Sequence, residues 1–399
     1  MNIDKFNASA PMLGYIYQAR YALLLALKKM REVDDPDESY ISIEKLDDIA
    51  FAENGSPEEL LQTKFHASPG NITDRSPDIW KTIRIWSELV VSGHVTLGDT
   101  VFTLVTTQAA DLESISSYLS VEADCRDADA ALGLLESISL ETNNTNNKVS
   151  YDAFNQLDST QKKIMVSSIY VIGLSDSFDD IDNAIKKHLR LSVGPNHIDA
   201  FAQRLDGHWL KNVIRILNKD SDRKICLGEL QSYINGLQEQ FLPQSLPSDY
   251  ALAEPDEMDV DNDMRVFLKQ IRLLGVTRNT LQIAITNYYR AIEQRNRWSR
   301  DGLLRVGELG EYDRKLKDEW QQIKSLVDLE MDASNEAARV VCGKSIYVKC
   351  QSDEMPKIRS GFSDMFLSRG TVHLLADNLS IGWHPDYLSL ISSNDAGVA

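Results

Sequence analysis

Tyr40-Ile-Ser-Ile-Glu-Lys-Leu-Asp-Asp-Ile-Ala-Phe51 and, beyond a turn, Glu59-Leu-Leu-Gln-Thr-Lys-Phe-His66 carry the reading of the N-terminal half. Both are rich in β-branched, aromatic and leucine residues, so each predicts extended chain. The first reads as one bent strand or a hairpin, the second as a short strand. Both interrupt apolar sequence with polar groups. Because side chains alternate along a strand, Gln62 and Lys64 fall on one face. Working outward, residues 12–31 predict a helix, with Leu13, Tyr17, Tyr21 and Leu24 on overlapping helical faces. Glu32–Glu38 is a polar break containing Pro36, Glu53–Glu58 a turn, and Ser68–Pro77 a long loop. Ile79–Val91 predicts a helix with Trp80, Ile83 and Trp86 at helical spacing, and Val101–Thr107 a further strand. The order helix, three strands, helix, strand predicts an α/β core.

From Leu112 to Leu242 the pattern is mainly helical, with Val166–Gly173 a candidate strand and Leu140–Asn147 an exposed loop. Pro243–Asp263 carries prolines and acidic residues without apolar periodicity and reads as a linker. The expected division is a domain over 1–242, a linker over 243–263 and a second domain over 264–399. In the last, Asp263–Asn296 reads as one or two helices, with an N-cap turn at Val276–Thr280. Arg305–Leu329 reads as another helix, Val340–Val348 as a strand, and Thr371–Ile391 as short strands and turns.

At 399 residues the chain is long enough for two or three domains of roughly 100–200 residues. Its 43% hydrophobic and 26% charged residues predict buried cores rather than disorder. Neither a basic-then-apolar leader nor an apolar run near the ~20 residues of a membrane span is legible. The expectation is a soluble, cytoplasmic protein with no membrane contact. The four cysteines have no zinc-site spacing and read as reduced thiols. The net charge of −18 opposes nucleic-acid binding by the chain as a whole. It leaves room for a local cationic site, because a nuclease needs basic groups only around its reacting phosphate.

The chemistry legible in the two strands is phosphodiester hydrolysis. That reaction needs a divalent ion held by oxygen ligands, and an Asp at a strand start with a Gln on the neighbouring strand can supply them. A lysine two residues after the Gln can orient the attacking water and stabilise developing charge. The candidate catalytic residues are Asp48, Gln62, Lys64 and Glu44. Asp48, Gln62 and Glu44 are the candidate ligands for Mg2+ or Mn2+. Asp47 can stand in for Asp48. The competing reading makes the acidic residues a solvated edge and Lys64 an edge-strand charge.

The Asp…Gln-x-Lys arrangement resembles the PD-(D/E)xK nuclease superfamily in its QxK variant. This resemblance implies a supporting role for Gln18, a polar residue on the first helix. Gly14-x-x-Tyr17-Gln18-x-x-Tyr21-Ala22-Leu23, Ile43-Glu44 with Asp47-Asp48-Ile49, and Leu61-Gln62-Thr63-Lys64 look like the double-stranded DNA endonuclease domain of effectors in CD-NTase-linked anti-phage systems. The C-terminal segments Phe267–Gly275, Ala284–Trp298, Gly370–Asp377 and Ile381-Gly-Trp-His-Pro-Asp-Tyr387 resemble the C-terminal domain of effectors in ABC three-component systems, the Lamassu nuclease subunit among them. These resemblances imply a restriction-endonuclease-like α/β domain with a helical extension, followed by a mainly α domain. They imply a bacterial anti-phage effector that cuts double-stranded DNA. Its implied partners are an SMC-like ATPase subunit and a small middle subunit, and it would self-associate on activation.

Arg290, Arg295 and Arg297 with Trp298 and Trp383 are candidate docking residues, since arginine and aromatic side chains concentrate at interface cores. The same arginines could touch DNA phosphates, or pair internally with Glu293 and Asp301 while the tryptophans fill a core. His373 and His384 read as packed histidines. The alternative function is a catalytically inactive scaffold subunit; an RNA nuclease lacks the expected aromatic stacking platform.

Overall fold

The computed structural model describes residues 9–44, 47–53, 56–66, 70–174, 177–218 and 224–395. The first eight residues, where no leader pattern is legible, the tip of the turn at 53–58 and the start of the loop at 68–77 lie outside them. The chain divides into two units, Met1–Gly236 and Leu237–Ala399.

The first unit opens with α1 (Ser9–Lys29), β1 (Ser39–Ile43), β2 (Ile49–Glu53), β3 (Ser56–Lys64), β4 (Asn71–Ile72), α2 (Pro77–Val91), β5 (Val101–Thr106) and β6 (Ala109–Ala110). It continues with α3 (Ile115–Tyr118), α4 (Ala128–Ser139), α5 (Lys148–Asn155), α6 (Ser159–Ser167), β7 (Ile169–Ile172), α7 (Phe178–Leu189), α8 (Ile198–Leu217) and β8 (Lys224–Cys226). Then α9 (Leu227–Gln240) runs across the boundary between the units. The main sheet has the order β7-β5-β3-β2-β1-β8. The meander β1–β2–β3 is antiparallel, β8 pairs antiparallel with β1, and β5 and β7 join parallel to β3 and to each other. The two-residue strands β4 and β6 pair separately.

Alternation along the strands assigns the two faces. Ala50, Leu60, Phe102, Leu104, Ile169 and Val171 point to one side, where they share a core with Ile79, Trp80, Ile83 and Trp86 of α2 and with residues of α4–α6. Ile41, Ile43, Ile49, Phe51, Leu61 and Val105 are buried on the other side, which carries α1. There Phe65 stacks on Tyr17 with ring centroids 4.9 Å apart. The Trp209 indole of α8 donates to the Ala19 carbonyl at 2.7 Å, which joins α8 to α1. The helix α2 starts where Ser76 caps it and Pro77 presets its first turn. The strand expected within 166–173 is β7. The three-residue β8 has too little pattern to be read locally; its place comes from pairing with β1.

The second unit contains α10 (Val266–Arg272), α11 (Arg278–Arg300), α12 (Glu308–Glu330), α13 (Glu336–Cys350), α14 (Phe366–Asp377) and α15 (Tyr387–Asp395). Thr277 caps α11 by accepting from the Thr280 N–H. Two expectations fail here. Residues 340–348 lie in a helix, because Gly343, Ile346, Tyr347 and Cys350 bury one helical stripe although the segment is rich in valine. Residues 371–391 fall largely in α14 and α15 rather than in strands.

The segment 243–263 is also no free linker. The Trp298 indole donates to the Pro247 carbonyl at 2.7 Å, and the Gln294 side-chain Oε1 accepts from the Asp249 N–H at 2.7 Å. Arg290 donates to the Ala253 carbonyl, and Arg272 to those of Val260 and Asp263. A chain without apolar periodicity is thus held through its backbone N–H and carbonyl groups, which composition does not reveal. Among the described residues no helix is long and apolar enough to cross a membrane.

Close packing of α14 on α11 depends on Gly370. A Cβ there would stand 2.0 Å from the Asn287 carbonyl oxygen and 2.5 Å from the Ala291 Cβ. Gly370→Ala is expected to destabilise the chain by roughly 1–3 kcal/mol. Gly207→Ala, in α8 with nothing within 4 Å of the new Cβ, should be neutral or stabilising by up to about 1 kcal/mol. Urea unfolding of the two variants beside the parent checks the contrast.

Candidate active site

The site forms where the β2–β3 ladder opens. Ile49 stands opposite Leu61. One further step in that register sets Asp48 opposite Gln62, and opposed residues of an antiparallel pair share a face. Two residues on, Lys64 opposes Thr106 on β5. The backbone N–H of Glu44 donates to the Asp48 carbonyl at 3.1 Å, and Glu44 sits in the left-handed region at φ 56°. That conformation is uncommon outside glycine and turns the chain sharply at the end of β1.

Asp47 and Asp48 point into different environments. Asp47 is buried, and its carboxylate accepts from three donors. These are the Trp86 indole at 2.6 Å, the Asp48 N–H at 3.0 Å and the Gln62 side-chain amide. Burial pushes the Asp47 carboxyl up to about 6, with the Gln62 and Trp86 hydrogen bonds pulling the other way and the Asp48 charge adding to the rise. Asp48 reaches toward solvent. Its Oδ1 accepts from the Gln62 amide at 3.0 Å, and its Oδ2 accepts from the Thr63 N–H at 2.8 Å and hydroxyl at 3.1 Å.

The Lys64 ammonium lies 2.5 Å from the Gln62 carbonyl oxygen, 3.3 Å from the Thr63 carbonyl and 3.8 Å from Asp48 Oδ2. Gln18, buried on α1, donates to the Asp48 carbonyl at 2.7 Å and to Glu44 Oε1 at 3.2 Å. The fold therefore brings Gln18, Glu44, Asp47, Asp48, Gln62 and Lys64 to one end of the sheet. It also separates the two adjacent aspartates, which sequence reading left interchangeable. Asp47 braces the site from inside, and Asp48 is the carboxylate presented at its surface.

Among the described residues no group of three or more His, Cys, Asp or Glu side chains gathers as a metal site. The oxygens that converge are of mixed kind: the Asp48 carboxylate, the Gln62 amide carbonyl and the Thr63 main-chain carbonyl; the Glu44 carboxylate accepts from Gln18 instead. They already surround one cation, the Lys64 ammonium. Hard neutral and anionic oxygens of this sort suit Mg2+, which keeps several waters and takes few protein ligands. Sequence reading missed Thr63 and Trp86. Thr63 lies inside the Gln-x-Lys motif, at the position the motif leaves free. Trp86 has the helical spacing of a core residue, which it also is; only its indole nitrogen marks it out.

The candidate docking residues of the second unit are used internally. Trp298 and Trp383 are fully buried. Arg295 makes a two-pronged pair with Asp313 at 2.6 and 2.8 Å, Arg297 pairs with Asp301 at 2.9 Å, and Arg290 with Glu254 at 2.7 Å. Trp298 and Trp383 therefore belong to the core and not to a docking face, while the three arginines make ion pairs within the unit. His373 is buried among Phe267, Tyr347 and Trp383, and burial pushes it down to about 3.

The comparisons with known proteins bear on this second unit. Residues 267–391 match the family model described as C-terminal domain 7 of the ABC-three component (ABC-3C) systems. The match covers α10 through most of α15 and supports a component of such a system. No curated protein sequence matches the chain.

The Asp47 cluster makes a pH-dependent prediction. A folded-state value above the ordinary carboxylate range means that the folded chain binds this proton more tightly, so Asp47 favours folding less as pH rises through 4 to 6. Trp86→Phe removes a donor that favours the ionised form. It should destabilise the chain more at pH 8 than at pH 5, by an extra 1–3 kcal/mol or so, the worth of a hydrogen bond to a charged group. Equal losses in urea unfolding at the two pH values would contradict this account.

Proposed function

We propose that the first unit is a metal-dependent DNA endonuclease of the PD-(D/E)xK type, and that the chain is the effector of an ABC-three component anti-phage system. The observation that carries the reading is the Lys64 ammonium enclosed by Asp48, Gln62 and Thr63 oxygens at the open end of β2 and β3. The succession α1, antiparallel β1–β3, α2 and parallel β5 supports a restriction-endonuclease-like core. The match of residues 267–391 supports the system to which it belongs.

Asp48, Gln62 and the Thr63 carbonyl, with Glu44 nearby, would hold Mg2+ or Mn2+. Such an ion, when bound, supplies Lewis-acid activation of the phosphoryl oxygen and of water. The chain's own residues do the rest. Lys64 donates to the attacking water and to the phosphate oxygens as charge grows on them. Gln62 fixes Asp48 on one side and Lys64 on the other. Trp86 and Asp47 hold Gln62, and Gln18 holds the turn that carries Asp48. The proposed partners are double-stranded DNA, an SMC-like ATPase subunit and a small middle subunit of the Lamassu kind, with self-association of the effector on activation.

Plasmid cleavage with Mg2+ tests the reading, at several protein concentrations and with the partner subunits added. Wild-type chain is expected to cut. Lys64→Ala and Asp48→Asn should each lower the rate by about 100-fold or more, the scale on which loss of one transition-state donor or ligand acts. Absence of cleavage by wild type under every condition, linear DNA ends included, would favour an inactive scaffold subunit.

A further inference from the structure

The strand face that carries Gln62 and Lys64 does not end with them. His66 lies two residues beyond Lys64, and the alternation holds through this point, since Phe65 turns to the opposite face and stacks on Tyr17. The backbone of His66 is fixed to the residue after β5. Its N–H donates to the Thr107 hydroxyl at 2.9 Å, and its carbonyl accepts from the same hydroxyl at 3.2 Å. The imidazole is fixed as well. Its Nε2 is 2.8 Å from Oδ2 of Asp78, in the first turn of α2. The ring is still 39% exposed, so it is held in place without being closed off from solvent.

We propose that His66, oriented by Asp78, is a further DNA-contacting residue that grips the phosphate next to the one cleaved. This rests on the nuclease reading of Lys64. Residues two apart on a strand are roughly 7 Å apart, a spacing suited to neighbouring phosphates of one DNA strand. In the proposed complex Asp78 accepts from Nε2–H and a phosphate oxygen accepts from Nδ1–H, so both ring nitrogens are used. Asp78 does not reach the DNA in this account. It is a positioning residue, acting by holding the ring. A purely structural tie between β3 and α2 would not need a solvent-facing ring, and it would leave the ionic-strength dependence of DNA binding unchanged.

The experiment uses the full chain and a linear duplex, with binding measured across a salt series in Ca2+, cleavage kinetics in Mg2+, and thermal melting as a control. His66→Ala should weaken duplex binding about tenfold, raise KM more than it lowers kcat, and reduce the slope of log K against log salt by about one. His66→Arg, which can meet both Asp78 and a phosphate, should restore the slope, and His66→Gln should not. Asp78→Asn should give part of the His66→Ala effect and add nothing to it in the double variant. Wild-type salt slope and KM in His66→Ala would overturn the proposal and leave the nuclease reading standing, as would a lowered melting temperature with no change in slope. Failure of wild type to bind or cut DNA at all would overturn both.

Discussion

The candidate site depends on the Gln62 side chain, which faces three charged groups at once. Its amide nitrogen donates to Asp47 and to Asp48, and its carbonyl oxygen accepts from Lys64. Only an amide can do this, because it carries donors and an acceptor on one planar group. A glutamate at this position would set a third carboxylate against two others, one of them buried. Like charges at that distance resist being ionised together. The presence of Gln rather than Glu in this motif follows from the second aspartate: Asp47 must be satisfied from inside the fold, and the amide is what satisfies it. The Trp86 indole meets Asp47 from the other side, so α2 is registered against the end of β3 through a carboxylate that never reaches solvent.

That arrangement explains which parts of the chain were legible beforehand. Alternation in Leu60–Lys64 is a local property, and it sets Gln62 and Lys64 on one face whatever surrounds them. The helical spacing of Trp80, Ile83 and Trp86 is equally local, as is the N-cap at Thr277. The choice between Asp47 and Asp48 is not local. It depends on an indole 39 residues along the chain from Asp47, on a helix reached only after three strands and a loop. Thr63 was passed over for a related reason. Its N–H and hydroxyl matter because Asp48 sits across the ladder, not because threonine in a strand is unusual.

The second unit shows the opposite failure, where local pattern was strong and misleading. Val340–Val348 has the composition of a strand, yet it buries Gly343, Ile346 and Tyr347 along a helix. Tertiary burial outweighs β-propensity, which spans only about 1 kcal/mol per residue. The arginines of α11 looked like a surface because arginine is common at interfaces. Arg290 instead holds Ala253 and Glu254, Arg295 holds Asp313, and Arg297 holds Asp301. An arginine with its carboxylate already in place has less to offer a partner, since a new contact must first break the old one. Trp298 and Trp383, fully buried, can form no part of a docking surface of this unit.

Net charge is the remaining difficulty for a DNA-cutting reading, and geometry reduces it. A charge of −18 is a sum over the chain, whereas a phosphate at the site feels mainly what lies within a Debye length, about 8 Å at physiological salt. Each aspartate described around that end of the sheet is engaged. Asp47 faces three donors, Asp48 faces Thr63 and lies 3.8 Å from Lys64, and Asp78 faces His66. Their negative charge is directed into hydrogen bonds with the protein, while the Lys64 side chain remains 20% exposed. The acidic remainder of the surface repels DNA at long range and so slows encounter rather than preventing contact. A subunit built this way would meet DNA poorly alone and better once a partner supplies the attraction, which is the behaviour required of a nuclease confined to an assembly.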